Sequence, residues 1–141
     1  MNAQLISLKT IHAPLEGSLS FFESQKDIPF NVRRIYYIYD VPMGVRRGMH
    51  AHKALQQFLW CAWGKVDIIL DSGREVQQYC LDSPQKGLLV GEGIWREMVW
   101  QKEGSVLCVA ASEHYDEGDY IRDYRTFVSY VEKGYWDETD K

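Results

Sequence analysis

The stretch that decides the fold is Gly44-Val45-Arg46-Arg47-Gly48-Met49-His50-Ala51-His52, which continues to Gln57. Side chains two residues apart on a β-strand point to the same face of the sheet, so His50 and His52 present both imidazoles to one cavity. For Gln57 to reach that cavity, the chain must bend or bulge near residues 53–55. A lone histidine in a β-domain is usually structural, but a pair framed by glycines in this way indicates a functional site.

The spacing Gly-x5-His-x-His-x4-Gln-x6-Gly resembles the first metal-site motif of the cupins, which are small β-barrel proteins. Metal-binding cupins carry glutamate where this chain has Gln57, and a carboxamide is a poor substitute because it neutralises no charge. The second cupin motif ordinarily supplies another histidine after a glycine turn. The corresponding stretch here is Gly91–Arg96, with arginine at the histidine position.

Arginine is not a metal ligand, so two of four expected ligands are absent. We therefore expect neither a metal nor another cofactor. Imidazole titrates near ~6.5 and can take and return a proton at neutral pH. Without a metal, His50 and His52 are free for proton transfer.

The composition suits one soluble domain that spans residues 1–141. The chain has 141 residues, of which 45% are hydrophobic, and this is enough for one core and no more. It has no apolar run of about 18 residues and no secretory leader, so we expect a cytoplasmic protein without a membrane partner. Its three cysteines are widely spaced and fit reduced thiols. A net charge of −4 argues against a nucleic-acid surface.

The basic residues are nevertheless concentrated around the histidines. In an acidic protein this concentration favours an anionic small ligand, although solvated strand ends are an equal alternative for any one of them. The cluster consists of Arg33, Arg34, Arg46, Arg47 and Lys53.

Short β-rich runs separated by turn residues predict an all-β sandwich or barrel, specifically the cupin jelly roll. The predicted strands are Leu5–Leu8, Ser18–Glu23, Arg33–Tyr39, Met49–His52, Gln57–Cys61, Lys65–Leu70, Glu75–Leu81, Gly87–Val90, Ile94–Trp100 and Ser105–Ala111.

The C-terminal segment changes to a helical period. Apolar residues recur at helical spacing from Ile121 to Val131, which predicts one amphipathic helix that ends before Gly134. Asp119 is the predicted N-cap of this helix. The polar tail, Tyr135 to Lys141, is expected to be frayed.

The strand Arg33–Tyr39 combines cations and phenols, and alternation divides them between two faces. One face carries Tyr37 and Tyr39, and the other carries Arg34 and Tyr36. We expect Tyr37 to donate a hydrogen bond to a developing enolate oxygen, and Arg34 and Tyr39 to contact the substrate. For Tyr36 and Tyr39, a place in the core or at the rim is the competing interpretation.

Longer strings resemble the sugar 3,4-ketoisomerases, small cupins that act on dTDP-4-keto-6-deoxyglucose. The two most specific are Arg-Gly-x-His-Ala-His-Lys at Arg47–Lys53 and Tyr-Asp-x-x-Asp-Tyr-Ile-Arg at Tyr115–Arg122. The resemblance covers most of the chain and also includes Asp27–Phe30, Arg34–Ile38 and Leu81–Pro84.

This resemblance implies a metal-independent isomerase that forms a dTDP-3-keto-6-deoxyhexose for 3-amino-3,6-dideoxy sugars of surface polysaccharides. It implies that His50 is the base at the sugar ring and that His52 assists it. Arg47 and other basic residues, including Lys53, would hold the diphosphate, and Gln57 would also line the substrate site. The resemblance further implies an intertwined homodimer that exchanges N-terminal strands.

Two positions near the sugar depart from many relatives. This chain has Arg96 in Trp95-Arg96-Glu97-Met98 where they have histidine, and Glu16 in Glu16-Gly17-Ser18-Leu19 where they have arginine. The planar guanidinium of Arg96 suggests a fork for substrate oxygens. Members with arginine at this position resemble the enzymes that make the gluco product, and members with histidine resemble those that make the galacto product, whereas Glu16 matches neither group. We therefore favour dTDP-3-keto-6-deoxyglucose, with the galacto epimer as the alternative.

Two rival functions remain open from the sequence. A dTDP-sugar 3,5-epimerase also uses a jelly roll, but depends on a histidine paired with a buried carboxylate and on a tyrosine acid. A cupin that only binds a sugar nucleotide would need no catalytic base.

Overall fold

The computed structural model describes residues 1–137 as two five-stranded antiparallel sheets, a separate two-stranded hairpin and one C-terminal helix. One sheet has the order β1-β9-β6-β11-β4, and the other has the order β12-β5-β10-β7-β8. The all-β prediction with a C-terminal helix is confirmed. The strands are β1 Ala3–Ser7, β2 Lys9–Ala13, β3 Gly17–Phe21, β4 Arg34–Ile38, β5 Arg46–His52, β6 Gln57–Trp63, β7 Val66–Asp71, β8 Val76–Leu81, β9 Lys86–Val90, β10 Trp95–Trp100, β11 Val106–Ala111 and β12 Tyr120–Ile121.

Each predicted strand overlaps an observed one, but two strands were missed. The hairpin strand β2 is partly polar and pairs only with β3, outside both large sheets. Strand β12 has two residues, which pair with the end of β5. Such a short strand has no period of its own, because its conformation is imposed by the strand beside it.

The apolar core lies between the two sheets, and most of the fully buried polar side chains lie together at one place. Its largest members include Trp100, Leu59 and Leu107, all without exposed surface. Of the four buried polar or charged residues among the described 1–137, three belong to the histidine and glycine-turn segments. These three are His52, Gln57 and Arg96.

The helix α1 spans Tyr124–Glu132, and its N-cap is Asp123 rather than Asp119. The Asp123 carboxylate accepts a hydrogen bond from the Thr126 backbone N–H at 3.0 Å, which satisfies one of the free N–H groups of the first turn. The predicted cap is therefore wrong by four residues, whereas the predicted end before Gly134 is confirmed. No helix in residues 1–137 has the length and apolar character needed to cross a bilayer.

The expected frayed tail is wrong for residues 135–137. The indole N–H of Trp136 donates to the Lys53 carbonyl at 2.9 Å, and the ring lies 5.8 Å from that of Phe127. Gly93 has φ +76°, and a Cβ there would lie 2.6 Å from the Trp136 ring. Glycine is thus required where the tail covers the second glycine turn. Residues 138–141 lie outside the described part of the chain.

Candidate active site

A β-bulge in β5 shapes the candidate site. Arg96 pairs with His50 and Glu97 with Gly48, so Met49 is the extra residue of the bulge. Gly48 has φ +87° and Met49 has φ +58°. Arg47 and His50 are three residues apart and would face opposite ways on a regular strand, but beside this bulge they line the same cleft.

The two imidazoles meet as predicted. The ring centroids of His50 and His52 lie 4.9 Å apart with an interplanar angle of 83°. The ring of Tyr120 contacts both, at 5.1 Å and 4.4 Å. After His52 the chain bends at residues 53–54, and Gln57 begins the next strand in the other sheet.

Gln57 and Arg96, which stand at two cupin ligand positions, bond to each other. A terminal nitrogen of the Arg96 guanidinium donates to Gln57 Oε1, and the second terminal nitrogen donates to the Ile94 carbonyl at 2.9 Å. Gln57 Nε2 then donates to the Tyr36 hydroxyl oxygen at 2.9 Å. The hydroxyl oxygen of Tyr36 accepts the hydrogen bond from Gln57, so the hydroxyl hydrogen of Tyr36 is free to be donated elsewhere.

His52 has a carboxylate partner that lies 67 residues away in sequence. Its Nδ1 lies 3.0 Å from Asp119 Oδ2, and the other carboxylate oxygen accepts from the Ala54 backbone N–H at 2.8 Å. Asp119 therefore contacts the imidazole of His52, and it is not the N-cap of the helix.

Burial and the positive charge of Arg96 are the two main causes of the pKa shifts of the histidines. Burial, followed by the guanidinium of Arg96, lowers the pKa of His50 to about 4 and lowers that of His52 further. Burial also lowers the pKa of Arg96 itself to about 10, which leaves it charged at neutral pH. The pKa of the Tyr36 phenol is raised, chiefly by burial. Both imidazoles are thus neutral and Tyr36 is protonated at neutral pH.

The open cleft in front of His50 has a volume of about 290 Å³ and a cationic wall. Arg34, Arg47 and Arg122 line it together with Tyr36, Tyr115 and Tyr120. Arg122 is held in place because its guanidinium makes two hydrogen bonds to Glu117, at 2.6 Å and 2.9 Å. The cleft therefore offers an imidazole, a phenol and several guanidinium groups to an anionic ligand.

Four predicted site residues do not reach this cleft. Tyr37 and Tyr39 are 61% and 58% exposed on the opposite face of β4, and their rings stack on each other at 5.7 Å. The prediction of Tyr37 as the inward phenol is corrected to Tyr36. Lys53 places its ammonium 5.7 Å from the Tyr130 ring, on the helix side. Glu16 is exposed in the turn between β2 and β3.

Arg96 also differs from the expected fork for substrate oxygens, since it is fully buried and its two terminal nitrogens donate to protein oxygens. Sequence reasoning missed Asp119, Tyr120 and Arg122, although all three belong to the specific string Tyr115–Arg122. Within residues 1–137 no group of three or more His, Cys, Asp or Glu side chains is arranged to hold a metal ion.

A jelly roll with paired imidazoles at one end is the architecture of the cupin-type sugar isomerases. The family model described as FdtA: WxcM-like, C-terminal, matches residues 1–132. The chain belongs to this family of sugar 3,4-ketoisomerases.

Three relatives document the likeness. A TDP-4-oxo-6-deoxy-alpha-D-glucose-3,4-oxoisomerase from Aneurinibacillus thermoaerophilus is 44% identical over 94% of this chain and 95% of its own length. The solved QdtA from Thermoanaerobacterium thermosaccharolyticum, a sugar 3,4-ketoisomerase in complex with TDP, is 43% identical, with a TM-score of 0.90 over 94% of this chain and 96% of that one. The WlaRB TDP-quinovose 3,4-ketoisomerase from Campylobacter jejuni is 41% identical, with a TM-score of 0.86 over 91% and 98% of the two chains.

The lowered pKa of His50 predicts a pH-dependent stability. Its folded pKa is about 4, whereas a histidine in the unfolded chain titrates near ~6.5. Below about pH 6.5 the unfolded chain therefore binds more protons, and stability is lost as the pH falls through 4. We expect the free energy of unfolding, measured with urea, to fall less steeply between about pH 6.5 and 4.5 in His50→Asn than in the wild type. Equal slopes would contradict a neutral buried imidazole.

Proposed function

We propose that the chain isomerises dTDP-4-keto-6-deoxy-D-glucose to dTDP-3-keto-6-deoxy-D-glucose. The observation that carries this proposal is the neutral His50 imidazole at an arginine-lined cleft, beside the phenol of Tyr36. The relatives named for this reaction supply the substrate class.

The residues can perform each proton step of this reaction. The unprotonated nitrogen of His50 takes the C3 proton, which the adjacent C4 ketone makes acidic, and the C3–H electron pair forms the C3–C4 double bond of an enediolate. The C3 and C4 hydrogens of a gluco chair lie on opposite faces. The gluco product therefore requires the enediolate to turn its other face toward His50 before the imidazole returns the proton to C4. The hydroxyl proton of O3 moves to O4, so the carbonyl has migrated and atoms balance.

Tyr36 is the donor that we assign to the developing oxyanion at O4. Its hydroxyl oxygen is occupied by Gln57 Nε2, which directs the phenolic hydrogen away from Gln57. Tyr36 thereby replaces Tyr37, which faces outward. His52 does not serve as a protonated donor, because burial lowers its pKa and keeps the ring neutral.

The nucleotide fits the outer part of the cleft. Arg34, Arg47 and Arg122 supply planar guanidinium forks for diphosphate oxygens. Tyr115 and Tyr120, whose ring centroids are 5.8 Å apart, offer aromatic faces for the thymine. Arg122, which sequence reasoning did not select, replaces Lys53 in this assignment.

A homodimer that exchanges N-terminal segments is part of the proposal. The β2–β3 hairpin pairs with neither large sheet, and it exposes Ile11 by 60%, Leu15 by 107% and Leu19 by 57%. An apolar surface of this kind is typical of an interface. Within the single chain β1 pairs with β9, so exchange would repeat this pairing between subunits. The hairpin also carries Glu16, which could then approach the partner's cleft. A cytoplasmic location remains a prediction.

Metal independence is the first prediction. Two of the four ligand positions of a metal-binding cupin are occupied here by Gln57 and Arg96, which bond to each other. A divalent cation would therefore find no anionic donor at either position. Turnover should be unchanged after dialysis against EDTA, with metal content measured on the same sample. Recovery of lost activity by zinc, manganese or iron would show that the assignment is wrong.

Removal of the base is the second prediction. His50→Asn should lower kcat by about 10²–10⁴-fold, the usual contribution of general acid-base catalysis, with dTDP affinity retained. Arg47→Ala should instead weaken dTDP binding, because it removes a charge-assisted contact and leaves the proton carrier in place. Steady-state kinetics and dTDP titration of both variants separate the two effects. Near-normal turnover by a folded His50→Asn would contradict the assignment.

The product is the third prediction, and the same experiment tests the function. In deuterium oxide, the sugar protons followed by NMR should show exchange at C3 of the substrate and the growth of a 3-keto sugar. In ordinary water, the same product should show a large H4 coupling. Exchange at both C3 and C5 would indicate a 3,5-epimerase, and binding without exchange would indicate a binding module. The TDP-quinovose name of the 41% identical relative supports the gluco product, since quinovose is 6-deoxyglucose. A small H4 coupling would refute it.

A further inference from the structure

The hydrogen bond between His52 and Asp119 decides which nitrogen of His52 carries the hydrogen. An ionised carboxylate only accepts hydrogen bonds. Its Oδ2 lies 3.0 Å from His52 Nδ1, and its Oδ1 already accepts from the Ala54 backbone N–H. Nδ1 must therefore be the protonated nitrogen of the neutral ring. Nε2 is left with its lone pair, and it is buried without a hydrogen-bond partner.

Asp119 is itself held firmly in place. Its carbonyl accepts from the Lys53 N–H at 3.0 Å, and its own N–H donates to the Asp116 carbonyl at 3.1 Å. A short 3-10 turn, Glu117–Asp119, delivers it, and the next residue pairs with His52 at the start of β12. Backbone and side chain thus hold the carboxylate against the imidazole from both directions.

We propose that Asp119 is a positioning residue that fixes His52 in the tautomer with hydrogen on Nδ1, and that this tautomer is required for His50 to act as the base. The proposal deepens the proposed isomerase function, on which its kinetic part rests. Asp119 does not touch the substrate cleft in front of His50.

The tautomer matters because no side chain among the described residues hydrogen-bonds to either nitrogen of His50. When His50 takes up the C3 proton, it becomes a cation next to the His52 ring, 4.9 Å away, and near the buried guanidinium of Arg96. A His52 that presents the lone pair of Nε2, backed by a carboxylate, lowers the energy of that cation. A His52 with hydrogen on Nε2 would instead place a positive N–H group in the ring beside that cation.

Asp119→Asn is the decisive variant, because an amide cannot satisfy both neighbours as the carboxylate does. The Ala54 N–H is a fixed donor, so the amide oxygen must face it and the NH₂ group must face His52 Nδ1. This arrangement forces the hydrogen of His52 onto Nε2. The reversal resembles the aspartate-to-asparagine change in Ser-His-Asp triads, where the wrong tautomer costs about 10⁴-fold in kcat.

The experiment combines a spectroscopic and a kinetic measurement. The chain has four histidines, so ¹⁵N-histidine NMR of the whole protein gives few imidazole signals, and His52→Asn identifies those of residue 52. The wild type should show a protonated Nδ1 and an unprotonated Nε2, and Asp119→Asn should show the reverse. The kcat of Asp119→Asn should fall by about 10²–10⁴-fold with little change in KM.

Asp123→Asn is the matched control. It removes one carboxylate four residues away, and asparagine caps a helix as well as aspartate does, so tautomer and kcat should stay as in the wild type. If Asp119→Asn fails to fold, Asp119→Glu keeps a carboxylate and should retain protonated Nδ1 and measurable turnover.

Hydrogen on Nε2 in the wild type would overturn the proposal. So would a reversed tautomer with unchanged kcat, or a lost kcat with an unchanged tautomer. If the wild type fails to turn over the keto sugar, the proposed function has failed, while the NMR measurement still decides the tautomer independently.

Discussion

A guanidinium buried inside the barrel is the constraint on which the site depends. Arg96 has no exposed surface, and it makes no salt bridge within the described residues 1–137. A buried charge is costly unless its donors are satisfied. The Gln57 and Ile94 oxygens accept hydrogen bonds from the two terminal nitrogens of the guanidinium, and the charge of Asp119 acts to raise its pKa against the effect of burial. A carboxylate at position 57 would balance the charge, but the carboxamide leaves the positive potential directed at the histidines.

This residual potential explains how the other groups behave. It helps to keep His50 and His52 neutral, which a base must be before it takes a proton. It also polarises Gln57, whose NH₂ group donates to Tyr36. The same cation therefore acts on both an imidazole lone pair and a phenolic donor.

The sequence was sufficient for the fold and for the histidine pair because both follow from local periodicity. It predicted the two faces of β4 correctly but not which face would be inside, since that depends on where the opposite sheet packs. The sequence therefore predicted Tyr37 as the phenol that faces inward, whereas Tyr36 faces inward and Tyr37 is exposed. The bulge at Met49 reverses the alternation of β5, and only Gly48 indicated it. Asp119 was assigned to the nearest helix because its true partner is 67 residues away.

In the proposed reaction, position 96 would influence the sugar only indirectly. The two terminal nitrogens of Arg96 are bonded to protein oxygens, and its third nitrogen, Nε, is buried without a partner. It therefore acts through Gln57, which it orients by donating to Oε1, and through Tyr36, which Gln57 orients in turn. A histidine at this position has at most one hydrogen to give in its neutral form and is shorter than arginine, so the carboxamide would be free to turn. The phenolic hydrogen of Tyr36 would then lose its fixed direction. In the proposed reaction, the stereochemical influence of residue 96 would therefore lie in the direction from which the enediolate oxygen is held, and so in the face of C4 that meets His50.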